Sequence, residues 1–181
     1  MNNSGKEGSF APIIFVMIVS LAIASLWNSI PVIKNTVHSI LNPTAGFLMN
    51  WNLTWGMMIV VLIITFITTL VQKYGTDQET LREMKKEQKI LQEEMKKYKD
   101  NPEKIMELQK KQLEFIPKTM KLSMRAIAYT GIPLILSFRW FMDYFELIPE
   151  FKFFGFFTWF WFYLVFSIIF SSVLRKIMNV V

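Results

Sequence analysis

The sequence predicts an all-α membrane protein with a three-helix transmembrane core, an N-terminal apolar helix and an antiparallel coiled-coil hairpin between core helices 1 and 2. Hydrophobic residues make up 52% of the 181 residues, yet Lys, Arg, Asp and Glu still account for 19%. Such a mixture indicates two unlike regions. The charged residues concentrate between Lys73 and Arg125, and the stretches on either side contain few charges. A charged segment that is expected in water therefore separates apolar segments that are long enough to cross a bilayer.

The order of segments follows from apolar runs, turn residues and charge. Residues 1–33 are expected to be a polar tail and a retained apolar anchor helix, because the tail is nearly neutral and the apolar run exceeds that of a usual signal peptide. Residues 34–53 are an external amphipathic connection with interfacial aromatics, in which His38 is expected in a loop. The later segments are core helix 1 at 54–73, a hairpin at 74–117, core helix 2 at 118–142, an external loop at 143–152, core helix 3 at 153–175 and a tail at 176–181.

Heptad spacing predicts the hairpin. Apolar and amide residues recur at alternating three- and four-residue steps, which is the pattern of a coiled-coil seam. Asn101-Pro102 between the arms is typical of a helix restart, since Asn caps a helix and Pro is tolerated at its first position. Ile116-Pro117 is expected to close the hairpin. The predicted seam residues are Leu81, Met84, Gln88, Leu91, Met95 and Tyr98 on the first arm, and Met106, Gln109, Leu113 and Ile116 on the second.

Positive charge predicts the orientation, because Lys and Arg are enriched in cytoplasmic flanks. The hairpin and the C-terminus are therefore expected in the cytoplasm, in a multi-pass protein of the cell (plasma) membrane. The N-terminus is also inside if residues 10–33 cross the bilayer. If they lie on its surface, three crossings remain and the N-terminus is external.

Hydroxyl and amide side chains form one stripe on each core helix. Polar groups in hydrocarbon need a partner or water, so three converging stripes would line a hydrophilic groove. The competing interpretation is that Ser and Thr bond carbonyls of their own helix or let helices pack closely. The candidate groove residues are Thr65, Thr68, Thr69, Gln72, Ser123, Arg125, Tyr129, Thr130, Ser137, Tyr163, Ser167 and Ser171.

The hairpin offers two further candidate surfaces. Flexible thioethers can hold many different apolar segments, which makes Met106, Met120 and Met124 candidates for substrate capture. Lysines on the hairpin are either a solvated helix face or a contact with the ribosome or anionic lipid headgroups of the bilayer. These are Lys85, Lys86, Lys89, Lys96, Lys97, Lys104, Lys110 and Lys111.

The sequence argues against several classes of function. It has no cysteine and one histidine, and it lacks a nucleophile-base pair, a metal-ligand cluster and a glycine-rich phosphate loop. We therefore expect no enzyme activity, metal or cofactor. A membrane-anchored coiled-coil tether for a soluble partner is the main alternative. A small channel or transporter ranks lower, because few ionisable residues lie within the apolar segments.

The order of parts resembles the YidC/Oxa/Alb insertase superfamily, and most closely its archaeal YidC-like members. The resemblance covers residues 48–176 and rests on the hairpin break YKDNPEKIMELQKKQLEFIP, the proline-bearing helix GIPLILSFRWF and the aromatic helix after it. It implies a membrane protein insertase and chaperone, in which the groove receives nascent membrane proteins and releases their apolar helices into lipid.

The chain departs from the bacterial members of that superfamily in its first core helix. Those proteins carry an arginine deep in this helix, where the present sequence has only threonines and Gln72. Arg125 is the candidate substitute. The resemblance leaves open whether an unidentified partner subunit completes the groove.

Overall fold

The computed structural model describes residues 11–99 and 101–180, apart from the side chains at positions 11–13, 120, 123–125 and 128. This part of the chain is almost entirely helical, which confirms the all-α expectation. Its elements are α1 Ala11–Leu26, α2 Pro31–Leu41, a π-helical turn Asn42–Gly46, α3 Phe47–Trp51, α4 Leu53–Gly75, α5 Gln78–Lys97, α6 Pro102–Glu146 and α7 Trp159–Met178. The predicted helical hairpin is formed by α5 packing against α6.

Side-chain caps start the three helices that build the hairpin and its base. Asn52 accepts two backbone N–H groups at the start of α4, at 3.1 and 3.0 Å. Asp77 accepts the Thr80 N–H at 3.1 Å at the start of α5, and Asn101 accepts the Lys104 N–H at the same distance at the start of α6. These caps satisfy N–H groups that have no partner inside their helices. The restart predicted at Asn101-Pro102 is therefore confirmed.

The seam of the second hairpin arm differs from the prediction. Leu81 and Met84 of α5 are buried as expected, but in the second arm the buried side chain is that of Leu108, which is only 1% exposed. Phe115, seven residues later, is half-buried on the same face. The residues expected in this seam are all exposed instead: Met106, Gln109, Leu113 and Ile116.

The helix α6 runs without interruption from the hairpin to the far end of the molecule. It includes both Pro117 and Pro133, so the hairpin does not close with a break at Ile116-Pro117. A proline removes one backbone hydrogen bond, but the many other bonds of a long, packed helix can hold it together. The helix ends at Glu146, four residues into the segment expected as the external loop.

The last helix begins later than the prediction. Core helix 3 was expected from Phe153, but residues 153–157 form a tight turn in which Phe153 and Phe157 exchange backbone hydrogen bonds of 2.8 and 2.9 Å. Gly155 lies in the turn with a φ of +84°, a conformation that costs glycine little and other residues much more. The helix α7 therefore starts at Trp159, and its last turn carries Arg175 and Lys176.

The N-terminal apolar segment is not one straight helix. Within the anchor expected over residues 10–33, the first helix ends at Leu26, and Ile30 has a non-helical backbone ahead of Pro31, because a following proline disfavours the helical conformation. His38, expected in a loop, lies in α2. The helix Ile14–Leu26 and the segment Pro31–Trp51 meet at 95°, as in a broken span or a re-entrant loop.

By length and composition, α4 and α7 are the two single helices among the described residues that could cross a membrane. The bent N-terminal pair brings the number of candidate spans to three. The second half of α6, predicted as core helix 2, is not among these candidates.

The hydrophobic core lies at one end of the bundle, where α4 and α7 begin and α6 ends. Its largest side chains are almost fully buried, and Trp140 also donates a 2.8 Å hydrogen bond to Asn42 Oδ1. We call this region the packed end. The opposite end, where α4 and α7 finish and the hairpin joins, is called the hairpin end. The large buried side chains of the packed end are Trp27, Trp140, Phe141, Phe153 and Phe162.

Candidate functional site

A cavity of about 360 Å³ opens at the hairpin end between α4, α5, α6 and α7. Four helices contribute to its wall, so it depends on the hairpin being docked against the bundle. One such contact joins Arg82 of α5 to α7, where its guanidinium donates a 2.6 Å hydrogen bond to the Asn179 carbonyl. The lining mixes polar and apolar side chains, among them Gln72, Thr76, Gln78, Met84, Lys85, Ile127 and Arg175.

A hydrogen bond between Gln72 and Arg175 joins two walls of this cavity. Arg175 Nη2 of α7 donates to Gln72 Oε1 of α4 at 2.7 Å. The Arg175 Nε atom is buried and has no hydrogen-bond partner among the described residues. Buried polar atoms without partners are costly. The cavity is therefore lined by a cation whose hydrogen-bonding groups are not all satisfied by the described residues.

The polar stripe of α4 is mostly satisfied within its own helix. Thr65 and Thr69 are 4% and 1% exposed, and their hydroxyls donate to the carbonyls of Val61 and Thr65, both at 2.7 Å. Thr68 is half-buried and donates to the Thr65 carbonyl at 2.9 Å. These three threonines therefore do not face an open groove in this conformation. Gln72 is the one member of the stripe that lines the cavity.

The stripes of α6 and α7 behave similarly. Thr130, Ser137 and Ser167 donate to carbonyls of their own helices at 2.8 to 2.9 Å. Tyr129 is 68% exposed, and Tyr163 is buried at the packed end, where its ring centroid lies 4.8 Å from that of Phe138. Ser171 is half-buried, whereas the side chains of Ser123 and Arg125 lie outside the described part. None of the described members of these two stripes lines the cavity at the hairpin end.

The capture and headgroup candidates lie on the hairpin or close to it. Met106 is 70% exposed, and the side chains of Met120 and Met124 fall outside the described part. Lys104 and Lys111 bond to Glu107 at 2.6 and 2.9 Å. The hydrogen bond from Lys104, followed by that from Lys111, lowers the pKa of Glu107 to about 2. The remaining predicted lysines are exposed, namely Lys85, Lys86, Lys89, Lys96, Lys97 and Lys110.

Sequence reasoning did not include five polar cavity residues in the site, namely Thr76, Gln78, Gln88, Thr119 and Arg175. Arg175 continues the four-residue spacing of Tyr163, Ser167 and Ser171, so the stripe itself carried a usable signal. Thr76 and Gln78 gave none, because they lie at the junction of α4 and α5, where the two side chains bond to each other and to the Gln72 carbonyl. Residues at a junction between two helices follow no helical periodicity, so their spacing in the sequence does not identify them as site residues.

One protein family matches most of the chain. A family model described as integral membrane protein EMC3/TMCO1-like matches residues 38–181. A search of the curated proteins and a search of the solved structures each found no match. The matched region includes the hairpin and all four helices around the cavity.

Proposed function

Because the chain belongs to the EMC3/TMCO1-like family of integral membrane proteins, we propose that it inserts client membrane proteins through the cavity at its hairpin end. The family is part of the Oxa1/YidC insertase superfamily, whose role is non-enzymatic membrane protein insertion. The chain is therefore a multi-pass membrane protein that interacts with client membrane proteins. Our proposal concerns two further points: the cavity at the hairpin end as the site that receives clients, and the route by which they enter the bilayer.

The hairpin end is proposed to face the cytoplasm. The charged hairpin and the basic last turn of α7, with Arg175 and Lys176, meet at this end. The excess of Lys and Arg on cytoplasmic flanks supports that orientation. In this orientation, the cavity opens toward newly made chains. The second half of α6 is proposed to stand in the bilayer beside α4, against which it packs.

The bond between Gln72 and Arg175 is the observation that carries the proposal. Moving a charged group to the bilayer centre costs about 2.5–3.5 kcal/mol on insertion scales. A recess that offers a guanidinium and amide groups replaces part of the lost hydration of a polar client segment. It also shortens the path that this segment has to cross in hydrocarbon.

The threonine stripe of α4 is proposed to extend the recess when α4 separates from its neighbours. Thr65 and Thr69 are bonded to carbonyls of their own helix, so separating the helices breaks none of these hydroxyl bonds. Once exposed, each hydroxyl oxygen still has lone pairs that can accept a bond from client or water. The apolar part of the client then leaves sideways, driven by the burial of its surface in lipid.

The hairpin is proposed to receive the client before insertion. Exposed Met106 would contact apolar client segments, with Met120 and Met124 nearer the membrane, because flexible thioethers adapt to different shapes. The exposed lysines would contact the ribosome or anionic headgroups. Lys104 and Lys111 are less available for such contacts, since both bond to Glu107.

Site-specific photocrosslinking to a stalled nascent membrane protein with a short hydrophilic tail tests the proposal. The crosslinker is placed at Ile127, which lines the cavity and is 49% exposed, and at Ile168 of α7, which is 58% exposed and does not line it. We expect the tail to crosslink several-fold more from position 127. Equal yields, or lipid adducts alone at both positions, would contradict the route. Labelling of a soluble protein alone would favour a tether.

A further inference from the structure

A polar cluster joins the N-terminal bend to α6 at the packed end. The Asp143 carboxylate accepts hydrogen bonds from Trp27 Nε1 at 2.9 Å and from Lys34 Nζ at 3.1 Å. His38 Nε2 lies 2.9 Å from the same carboxylate oxygen. All three contacts fall on the same oxygen, Oδ2, and none of them comes from the other cation nearby.

That other cation is Arg139, one turn before Asp143 in α6. No carboxylate lies within 4.0 Å of its guanidinium in the described part of the chain, and its buried Nε has no hydrogen-bond partner there. Its guanidinium carbon lies 5.5 Å from the centre of the Trp27 ring, and Nη1 makes only a weak contact of 3.8 Å with Met142 Sδ. Stacking fixes the position of the guanidinium and leaves its positive charge available.

Arg139 and Lys34 line one cavity of about 540 Å³ between the N-terminal bend, the end of α6 and the loop before α7, together with the carboxylates Asp143 and Glu146. Glu146 is exposed and forms no ion pair with either cation among the described residues. Lys34 bonds to Asp143 and to Asn28 Oδ1, and an ammonium group has three hydrogens, so one remains for a ligand. A volume of this size accommodates a small polar group with part of an attached chain.

Exposed tryptophans place this cavity at the level of lipid headgroups. Trp51, Trp55 and Trp161 are 71%, 58% and 55% exposed and lie at or near the starts of the membrane-crossing helices α4 and α7. Exposed Trp at the end of a membrane span is typical of the headgroup interface. Phosphate groups are the anions present at that level.

We propose that this cavity binds the phosphate group of a membrane phospholipid, with Arg139 as the main donor and Lys34 as the second. The guanidinium presents paired N–H groups that match two phosphate oxygens. The acyl chains of the bound lipid extend along the apolar surface of the bundle. The site lies at the opposite end from the client cavity and does not depend on the proposed insertion route.

Lipid titration of the full chain in detergent, followed by native mass spectrometry, tests the assignment. Dioleoylphosphatidylglycerol is compared with dioleoylglycerol, which has the same acyl chains and no phosphate, and inorganic phosphate is added as a competitor. We expect the phospholipid to bind roughly tenfold tighter than dioleoylglycerol, and inorganic phosphate at equal concentration not to displace it. Equal affinity of the two lipids, or displacement by inorganic phosphate, would overturn the lipid assignment.

Three variants separate a phosphate contact from a structural role. R139Q should weaken phospholipid binding roughly tenfold, whereas R139K should weaken it by less, because lysine keeps the positive charge but loses the paired N–H groups. The matched control K152Q removes an exposed lysine outside this cavity and should leave binding unchanged. Equal losses for R139Q and R139K, or for R139Q and K152Q, would contradict the proposal.

Discussion

The aromatic core of the packed end and the cavity of the hairpin end hold their polar groups in opposite ways. Arg139, at the edge of the packed end, stands outside this contrast, because its buried Nε also has no partner among the described residues. At the packed end, Trp140 bonds to Asn42 and Tyr144 bonds to Asn50 at 2.8 and 2.7 Å, each within or beside a dense aromatic core. At the hairpin end, the bond from Arg175 to Gln72 spans a cavity and leaves the arginine Nε without a partner among the described residues.

The difference indicates that the two ends of the bundle have different roles. Dense packing with satisfied polar groups resists opening, because separating such surfaces exposes apolar area and breaks buried hydrogen bonds. A cavity with spare hydrogen-bonding capacity can change its partners at lower cost. Stability is therefore expected to depend mainly on the packed end and client handling mainly on the hairpin end.

Truncating a side chain of the packed end should have the largest effect. Trp140→Ala removes a ring that is 1% exposed, together with its hydrogen bond to Asn42, and should lower the free energy of unfolding by about 3–5 kcal/mol. Denaturant titration in detergent measures this change. Trp161→Ala, at a position that is 55% exposed, is the control and should change it by less than about 1 kcal/mol. Similar losses in both variants would contradict a localised core.

A glycine pair in α4 tests how closely the packed end is assembled. A Cβ atom at Gly56 would lie 2.2 Å from the Leu48 carbonyl oxygen, which is backbone and cannot rotate away, whereas the nearest atom at Gly75 is 3.8 Å distant. Gly56→Ala should destabilise the protein by about 1–3 kcal/mol. Gly75→Ala at the hairpin end should be neutral or slightly stabilising. The same measurement distinguishes them, and equal effects would refute the asymmetry.

Removing the cation of the hairpin end should reduce insertion more than stability. Arg175→Gln removes one of the two positive charges that line the cavity, the other being Lys85, and should lower the insertion rate of short-tailed clients roughly tenfold, or about 1.4 kcal/mol. Reconstituted vesicles and a protease-protection assay measure it. Lys176→Gln, the exposed neighbour, is the matched control and should retain activity. An equal loss in both variants would indicate a general charge effect.

The smallest effect is expected on the hairpin surface. Glu107 has a pKa lowered to about 2, with Lys104 as the leading cause, so its stabilising contribution is present above its ordinary pKa of 4.5 and is lost as pH falls toward 2. NMR of the labelled carboxyl in the full chain should give this midpoint, and Lys104→Gln should move it upward. Glu107→Gln should leave the unfolding temperature unchanged at neutral pH. A midpoint near 4.5 would contradict the ion pair.

Local signals explain which parts of the fold could be predicted. Capping by Asn101 and the proline after it depend only on neighbouring residues, so the start of α6 could be identified from sequence. The seam of the second arm could not, because Met106 with Leu113 and Leu108 with Phe115 are both spaced by seven residues. Only the partner helix decides which pair is buried. Hydropathy also could not predict the late start of α7, because Phe153 and its neighbours are equally apolar in a turn and in a helix.

Contacts between distant residues limited the prediction of sites. His38 had no carboxylate nearby in sequence, yet Asp143, 105 positions away, lies 2.9 Å from it. The three stripes were recognised by spacing, but spacing does not reveal whether a hydroxyl faces a groove or bonds to its own helix. The groove role of these residues stays a prediction, as do the ribosome contact, the partner subunit and the likeness to archaeal members.

The continuity of α6 has a mechanical consequence. At about 1.5 Å per residue, its 45 residues form a rod of roughly 68 Å, more than twice the thickness of the hydrocarbon layer. In the proposed orientation, one end stands in water while the other packs among the aromatic rings of the core. A force applied at the hairpin tip is expected to bend the helix at Pro117 and Pro133, because proline removes a backbone hydrogen bond there.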